Sequence, residues 1–268
     1  MLNSENYHSK ESNNNYMSVS QFKDFAPTFG GCEAKAMAKL SGEYKEPFNK
    51  AFLEGSFVHA WNEGKLEEFK ADNPEVYSSR GANKGQLKAE YQHCETMITR
   101  LEGDALVMQA LAGQKEVIFT AELFGMPWKA MIDSYNPEKG YFTDLKTIKE
   151  IGGKYWNKEG YYENFVDHYG YHVQMAVYAE IERITSGRSP EDWLIPHIVV
   201  VSKQDPPDID VIYFDHNSIE HGLSIVRESI GRIKQVKDGD KPIRCEKCAY
   251  CRGTKKILKI KHYSQINT

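Results

Sequence analysis

No apolar run in this sequence is long enough to cross a bilayer. The most hydrophobic stretch, residues 193–201, is far shorter than the ~20 residues a membrane helix needs. An excess of positive charge is also missing. The 34 Lys and Arg face 38 Asp and Glu, a formal net charge of -4, which excludes a uniformly basic nucleic-acid coat but leaves room for a local DNA site. The first residues lack the basic-then-apolar order of a signal peptide, so the chain is expected to be cytoplasmic. With five cysteines in 268 residues and a reducing compartment, a disulfide framework is not expected. There is no internal repeat, no Gly-rich phosphate loop and no hydrolase elbow.

Hydrophobic residues make up 40% and aromatics 12%, ample for a buried core. Residues 1–16, rich in Asn and Ser without an apolar period, read as a frayed tail. Ser18 or Ser20 suits the N-cap of a short helix carrying Phe22 and Phe25. Helical patterns follow at 33–40, 48–69 (with Phe52, Val58, Trp61 and Leu66 as core positions) and 87–111, with a polar loop at 74–85. The period then changes to two, and 116–122, 127–136 and 140–147 read as three successive antiparallel strands. A long helix is expected over 161–185, strands over 193–202 and 208–214, and a helix over 218–236. This order predicts a single α+β domain: a helical part (17–113), a sheet-and-helix core (114–240), and a Cys-containing basic segment (241–268).

Chemistry concentrates around Asp144 and Lys146. Strand alternation puts both on one face with Leu145 on the other, and a tight hairpin would bring Asp133 beside Asp144. Two converging carboxylates can hold a hard divalent cation. A lysine next to it can orient a water and neutralise charge on a phosphate. By itself Asp-x-Lys is more often an exposed cross-strand charge pattern, and only Asp133 at hairpin distance balances the two readings. His59, on the 48–69 helix, is either a further ligand or a hydrogen-bonded core histidine. Tyr171, Gln174 and Tyr178 share one face of the 161–185 helix, where a buried glutamine needs a polar partner.

The order Gly55 to His59, Asp133, Asp144-Leu145-Lys146, then Gln174 and Tyr178 resembles the PD-(D/E)xK nucleases of the RecB/RecE/lambda-exonuclease type, most nearly the RecE-like (exodeoxyribonuclease VIII) phage and prophage exonucleases. The resemblance covers about residues 17–262. It departs in lacking the proline before the first Asp, where Ile132 stands. It implies a restriction-endonuclease-like core, a mixed central sheet flanked by helices. It also implies a Mg2+ or Mn2+ site of His59, Asp133, Asp144 and the Leu145 carbonyl, with Lys146 positioning the attacking water and Gln174 and Tyr178 supporting it. Glu116 and Glu122 are read first as surface glutamates, with Glu116 ahead as an extra carboxylate. The implied activity is 5′→3′ resection of linear double-stranded DNA. The implied partners are DNA ends, a RecT-type single-strand annealing protein and further copies of the chain in a ring, within a bacterial host cell. A structure-specific or repair endonuclease on the same core and a non-catalytic DNA-binding scaffold remain as alternatives.

Cys245, Cys248 and Cys251 form a C-x2-C-x2-C cluster, a spacing that suggests metal more than oxidation, although a closed site needs a fourth ligand. In the RecB-like nucleases that carry an iron–sulfur cluster one cysteine precedes the core and three follow it. The resemblance therefore makes Cys32 the fourth ligand of a [4Fe-4S] cluster. Zinc or free thiols stay open, because the spacing departs from the commoner pattern of those enzymes. Cys94 reads as an ordinary buried thiol. From Lys241 onward eight Lys and Arg accompany one Glu. The chain is thus an acidic body with a basic end, with Lys149, Lys154 and Lys158 near the expected site.

Overall fold

The computed structural model describes residues 2–47, 49–157, 160–260 and 262–265, so Phe48 and Lys158 of the expectations above lie outside the described residues. Among the described residues seven α-helices precede the sheet: α1 (Lys10–Asn15), α2 (Val19–Phe25), α3 (Glu33–Ser41), α4 (Lys50–Asn62), α5 (Leu66–Asp72), α6 (Ala89–Glu102) and α7 (Ala105–Ala110). The expected meander follows as β1 (Gln114–Leu123), β2 (Met126–Asn136) and β3 (Tyr141–Ile148), then a small hairpin, β4 (Tyr155–Trp156) and β5 (Tyr162–Glu163). After α8 (Phe165–His168) and α9 (Tyr171–Thr185) come β6 (Ile195–Ser202), β7 (Ile209–Tyr213), α10 (His216–Lys237) and α11 (Ala249–Gly253).

The sheet runs β1-β2-β3-β6-β7. β3 and β6 are parallel and the other neighbours antiparallel, so the sheet is mixed and the fold α+β. A parallel pair needs a crossover, which α8 and α9 supply. Both central strands are buried on two faces. Phe142, Ile148, Ile198 and Val200 join the core under α9 and α10, while Leu145, Val199 and Val201 join the core under α4, α6 and α7. Asp144 and Lys146 therefore share the α9 face, as the period required. α10 crosses α9 closely at Gly222, where a Cβ would stand 2.6 Å from that of Ala176. Among the described residues no helix is long and apolar enough to cross a membrane.

Five expectations are corrected. The segment before Met17 is not frayed: α1 is capped by Ser9, and the buried Lys129 ammonium of β2 donates to Tyr7 O (2.5 Å), Ser12 Oγ (2.9 Å) and Asn13 Oδ1 (2.7 Å). Polar side chains accepting from a buried lysine leave no apolar period to detect. The helix expected over 48–69 is two helices parted at Gly64, whose φ of +75° no β-carbon residue adopts cheaply. On α4, Phe52 is 75% exposed and Phe57 takes the core place. The 87–111 helix breaks at Gly103, where the Asp104 carboxylate caps α7 through the Leu106 and Val107 N–H groups. The 161–185 helix starts only at Tyr171, after a strand, the short α8 and Gly170 at φ +62°.

Candidate active site

The site forms where the sheet comes apart. β2 and β3 pair from Asn136–Tyr141 to Ser134–Thr143, and the next step would set Asp133 against Asp144. There the Asp133 carboxylate replaces the backbone ladder: its Oδ2 accepts from Leu145 N–H at 2.7 Å. The N–H and C=O of one strand residue point the same way, so the Leu145 carbonyl faces the same gap. On the other side of Asp133, the β1–β2 ladder steps from Lys115–Ser134 to Val117–Ile132 and skips Glu116. Glu116 has φ +53°, a strained conformation for a side-chain-bearing residue, and its carboxylate joins the cluster.

His59 of α4 approaches from above, with Nδ1 3.5 Å from Asp133 Oδ2. Ligand atoms of His59, Glu116 and Asp133 all lie within 4.8 Å of one another. Asp144 sits beside this trio. Its Oδ1 accepts from Gln174 Nε2 of α9 at 2.7 Å, and its Oδ2 is 2.6 Å from Lys146 Nζ. Lys146 is thus the partner of the buried Oδ2. A buried carboxylate beside two more carboxylates and an imidazole is a donor set that fits a divalent cation.

The electrostatics agree. Burial, then the Asp133 and Glu63 charges, push the Glu116 carboxyl up to about 8. Burial also raises Asp133, partly opposed by His59 and reinforced by Asp144. Lys146 behaves oppositely: burial would lower it, but the charges of Asp144, Tyr171 and Asp133 outweigh that and raise it. Gln174 in turn bonds Tyr178, whose hydroxyl is raised by burial first and then by Tyr7, Asp144 and Asp133. The Tyr171 ring lies 5.1 Å from Lys146 Nζ and 5.7 Å from Lys23 Nζ.

Of the expected site residues, His59, Asp133, Asp144, Leu145, Lys146, Gln174 and Tyr178 come together. Glu116 does so too, which overturns its first reading as a surface glutamate; Glu122 stays exposed and outside. The sequence reading missed two neighbours. Tyr7, read as tail, lines the cleft. Lys23 sits close enough that burial and the Lys146 charge lower its ammonium to about 8. Neither lies in a periodic run that marks it. The cleft above the site is about 1050 Å³ and is lined by Lys10, Lys39, Lys45, Lys65, Lys129 and Lys146, together with the acidic cluster and the exposed Phe52.

A second cluster lies at the C-terminal end. Thiols of Cys32, Cys245, Cys248 and Cys251 lie within 4.8 Å of one another, with Cys32 Sγ 3.6 Å and Cys245 Sγ 3.9 Å from Cys251 Sγ. Burial would raise Cys245, but N–H groups of Cys248 and Lys247 prevail and lower it to about 6; Cys248 N–H donates to its Sγ at 3.3 Å. Cys32 begins α3, and the next residue ties that helix to the C-terminal segment: Glu33 accepts from Arg232 and, at 2.7 Å, from Ile243 N–H. Cys94 is buried and apart, its thiol pushed up to about 12 by burial.

Residues 18–254 match the family described as a PDDEXK-like domain of unknown function, DUF3799. The chain belongs to this PDDEXK-like family. A solved structure, a protein of Eubacterium rectale whose name makes it a candidate exonuclease, superposes with a TM-score of 0.89 at 41% identity, over 98% of this chain and 96% of that one. A more distant structure, SSO0001, gives a TM-score of 0.31 at 12% identity over 87% of this chain and 93% of its own. No curated protein sequence matches the chain. The PD-(D/E)xK resemblance read from the residues is thus shown.

Proposed function

We propose that this PDDEXK-like protein is a metal-dependent DNA exonuclease, hydrolysing phosphodiester bonds from the ends of linear duplex DNA. The observation that carries it is the convergence of His59, Glu116, Asp133 and Asp144 beside Lys146 at the floor of a deep cleft. The candidate exonuclease of Eubacterium rectale, alike over nearly the whole chain, supports it.

His59, Glu116, Asp133, Asp144 and the Leu145 carbonyl would hold Mg2+ or Mn2+. When bound, such an ion lowers the pKa of a water and neutralises charge on the phosphate. Lys146, paired with Asp144, would place a positive charge that orients the water and stabilises the crowded phosphate. Gln174 and Tyr178 are positioning residues, holding Asp144 Oδ1 in place. The cleft lysines attract the backbone. By resemblance, strand removal is 5′→3′ in a bacterial cytoplasm, the 3′ tails serve a RecT-type annealing protein, and the enzyme is a ring of copies.

At the second cluster we propose one zinc ion. With Zn–S near ~2.3 Å a tetrahedral site has S–S edges of about 3.8 Å, which the 3.6 and 3.9 Å contacts match. A [4Fe-4S] cubane carries its thiolates on four separate irons and would need these sulfurs to move apart.

The test is digestion of end-labelled linear duplex with Mg2+, beside a closed circle of the same sequence. The linear form is consumed, the circle survives, and Asp144→Asn removes the activity. Cutting of the circle, or full activity in that variant, overturns the proposal. Metal analysis with an absorption spectrum decides between zinc and iron–sulfur.

A further inference from the structure

The strand that carries Asp144 and Lys146 runs on, seven residues past the end of β3, into the β4–β5 hairpin. Its ladder has two rungs, Tyr155 with Glu163 and Trp156 with Tyr162, too few to hold a hairpin alone. Successive strand residues face opposite sides, and here the two faces differ. The inner rung is braced. Tyr155 stacks on His168 at 4.8 Å and 26°, and His168 Nδ1 is 2.9 Å from Glu163 Oε1. Asn157 Nδ2 donates to Glu163 Oε2 at 3.0 Å, and Asn157 Oδ1 accepts from Tyr161 N–H at 3.0 Å.

The outer rung touches nothing so firm. Trp156 and Tyr162 are 61% and 62% exposed, with their rings edge-to-face at 5.0 Å. A braced hairpin that turns two large rings to water is a surface made to be covered. Its brace is joined to the site. The Tyr155 ring meets Tyr169 at 5.5 Å, Tyr169 meets Tyr171 at 5.6 Å, and Tyr171 lies 5.1 Å from Lys146 Nζ. The outer aromatics are therefore held in a set position relative to the catalytic lysine. Lys149 and Lys154, both exposed, occupy the segment between. Exposed rings interleaved with lysines fit a single strand, whose bases stack and whose phosphates are negative.

We infer that the β4–β5 hairpin binds unpaired nucleobases of the DNA substrate by stacking on Trp156 and Tyr162, with Lys149 and Lys154 on the adjoining phosphates. This rests on the nuclease reading and adds to it a rigid element that grips a strand by its bases next to the cut.

The test uses full-length Asp144→Asn protein and its Trp156→Ala/Tyr162→Ala and Trp156→Phe/Tyr162→Phe derivatives, with oligothymidylate and an abasic oligonucleotide of equal length. Stacking predicts that the double alanine variant binds oligothymidylate on the order of tenfold to a hundredfold more weakly. Phenylalanine restores most of that affinity, and binding of the abasic strand is the same in all three proteins. Oligothymidylate also quenches the Trp156 part of the fluorescence, a change missing when Trp156 is Phe. Equal affinities, an equal loss on the abasic strand, or a drop in oligomeric state of the double variant by sedimentation would each overturn the inference, the last by showing a contact between copies. Nuclease activity of the unaltered enzyme is scored separately, so failure of the hairpin role leaves the exonuclease reading intact. Failure of both assays removes both.

Discussion

At the scale of single residues, the site is a collection of carboxylates that would repel one another without a cation. Glu116 makes this measurable. Its carboxyl is held near 8, against an ordinary value of 4.5, so between those values the folded chain keeps a proton that the unfolded chain has lost. Stability of the cation-free protein should therefore fall as pH rises from about 4.5 to 8, and Mn2+ should flatten that slope by taking the proton's place. Thermal melts across this range with and without Mn2+ check it, and Glu116→Gln should abolish the dependence contributed by this group. Lys146 sits against Asp144, so Lys146→Met should lower kcat by about 10²–10³ while DNA binding persists. Single-turnover cleavage and a binding titration separate the two effects. Gln174→Leu should cost about 10–100-fold in metal affinity or activity, because it leaves Asp144 Oδ1 without its donor.

At the scale of elements, the strands were legible because both required features are local. Alternation in 116–122, 127–136 and 140–147 marked the meander, and Asp-x-Lys on the third strand put both side chains on one face. The helices were less legible where glycine or a cap intervened. Gly64, the Gly103-Asp104 pair and Gly170 each interrupt an apolar pattern that continues across them. The N-terminal segment was missed for another reason: it is held by Lys129, which sits more than a hundred residues away in sequence and accepts no periodic description. Lys129→Met should leave Tyr7 O, Ser12 and Asn13 without their donor and cost about 2–4 kcal/mol. Urea melts would read the loss, and limited proteolysis should then cut before Met17.

At the scale of the whole molecule, chain ends that are distant in sequence close on each other. Cys32 meets three cysteines over two hundred residues later, and Glu33 meets Arg232 and Ile243 beside them. Because α2 and α3 wall the cleft, this clasp should matter to activity as well as stability. If the four thiols hold a metal as proposed, Cys32→Ala is expected to lose it and lower the melting midpoint, seen by metal analysis and calorimetry. By itself the sequence determined the α+β class, the strand that carries Asp144 and Lys146, the aspartate across from it and the C-x2-C-x2-C cluster. All of these depend on residues close in the chain or on a period of two. Only the tertiary structure decided that Glu116 is in the site and Phe52 is not core, that Tyr7 and Lys23 stand beside the carboxylates, and that the four thiols lie within reach of one another. Those facts depend on where the sheet splits and where the chain returns. Such contacts are made through space between segments whose local patterns carry no record of each other.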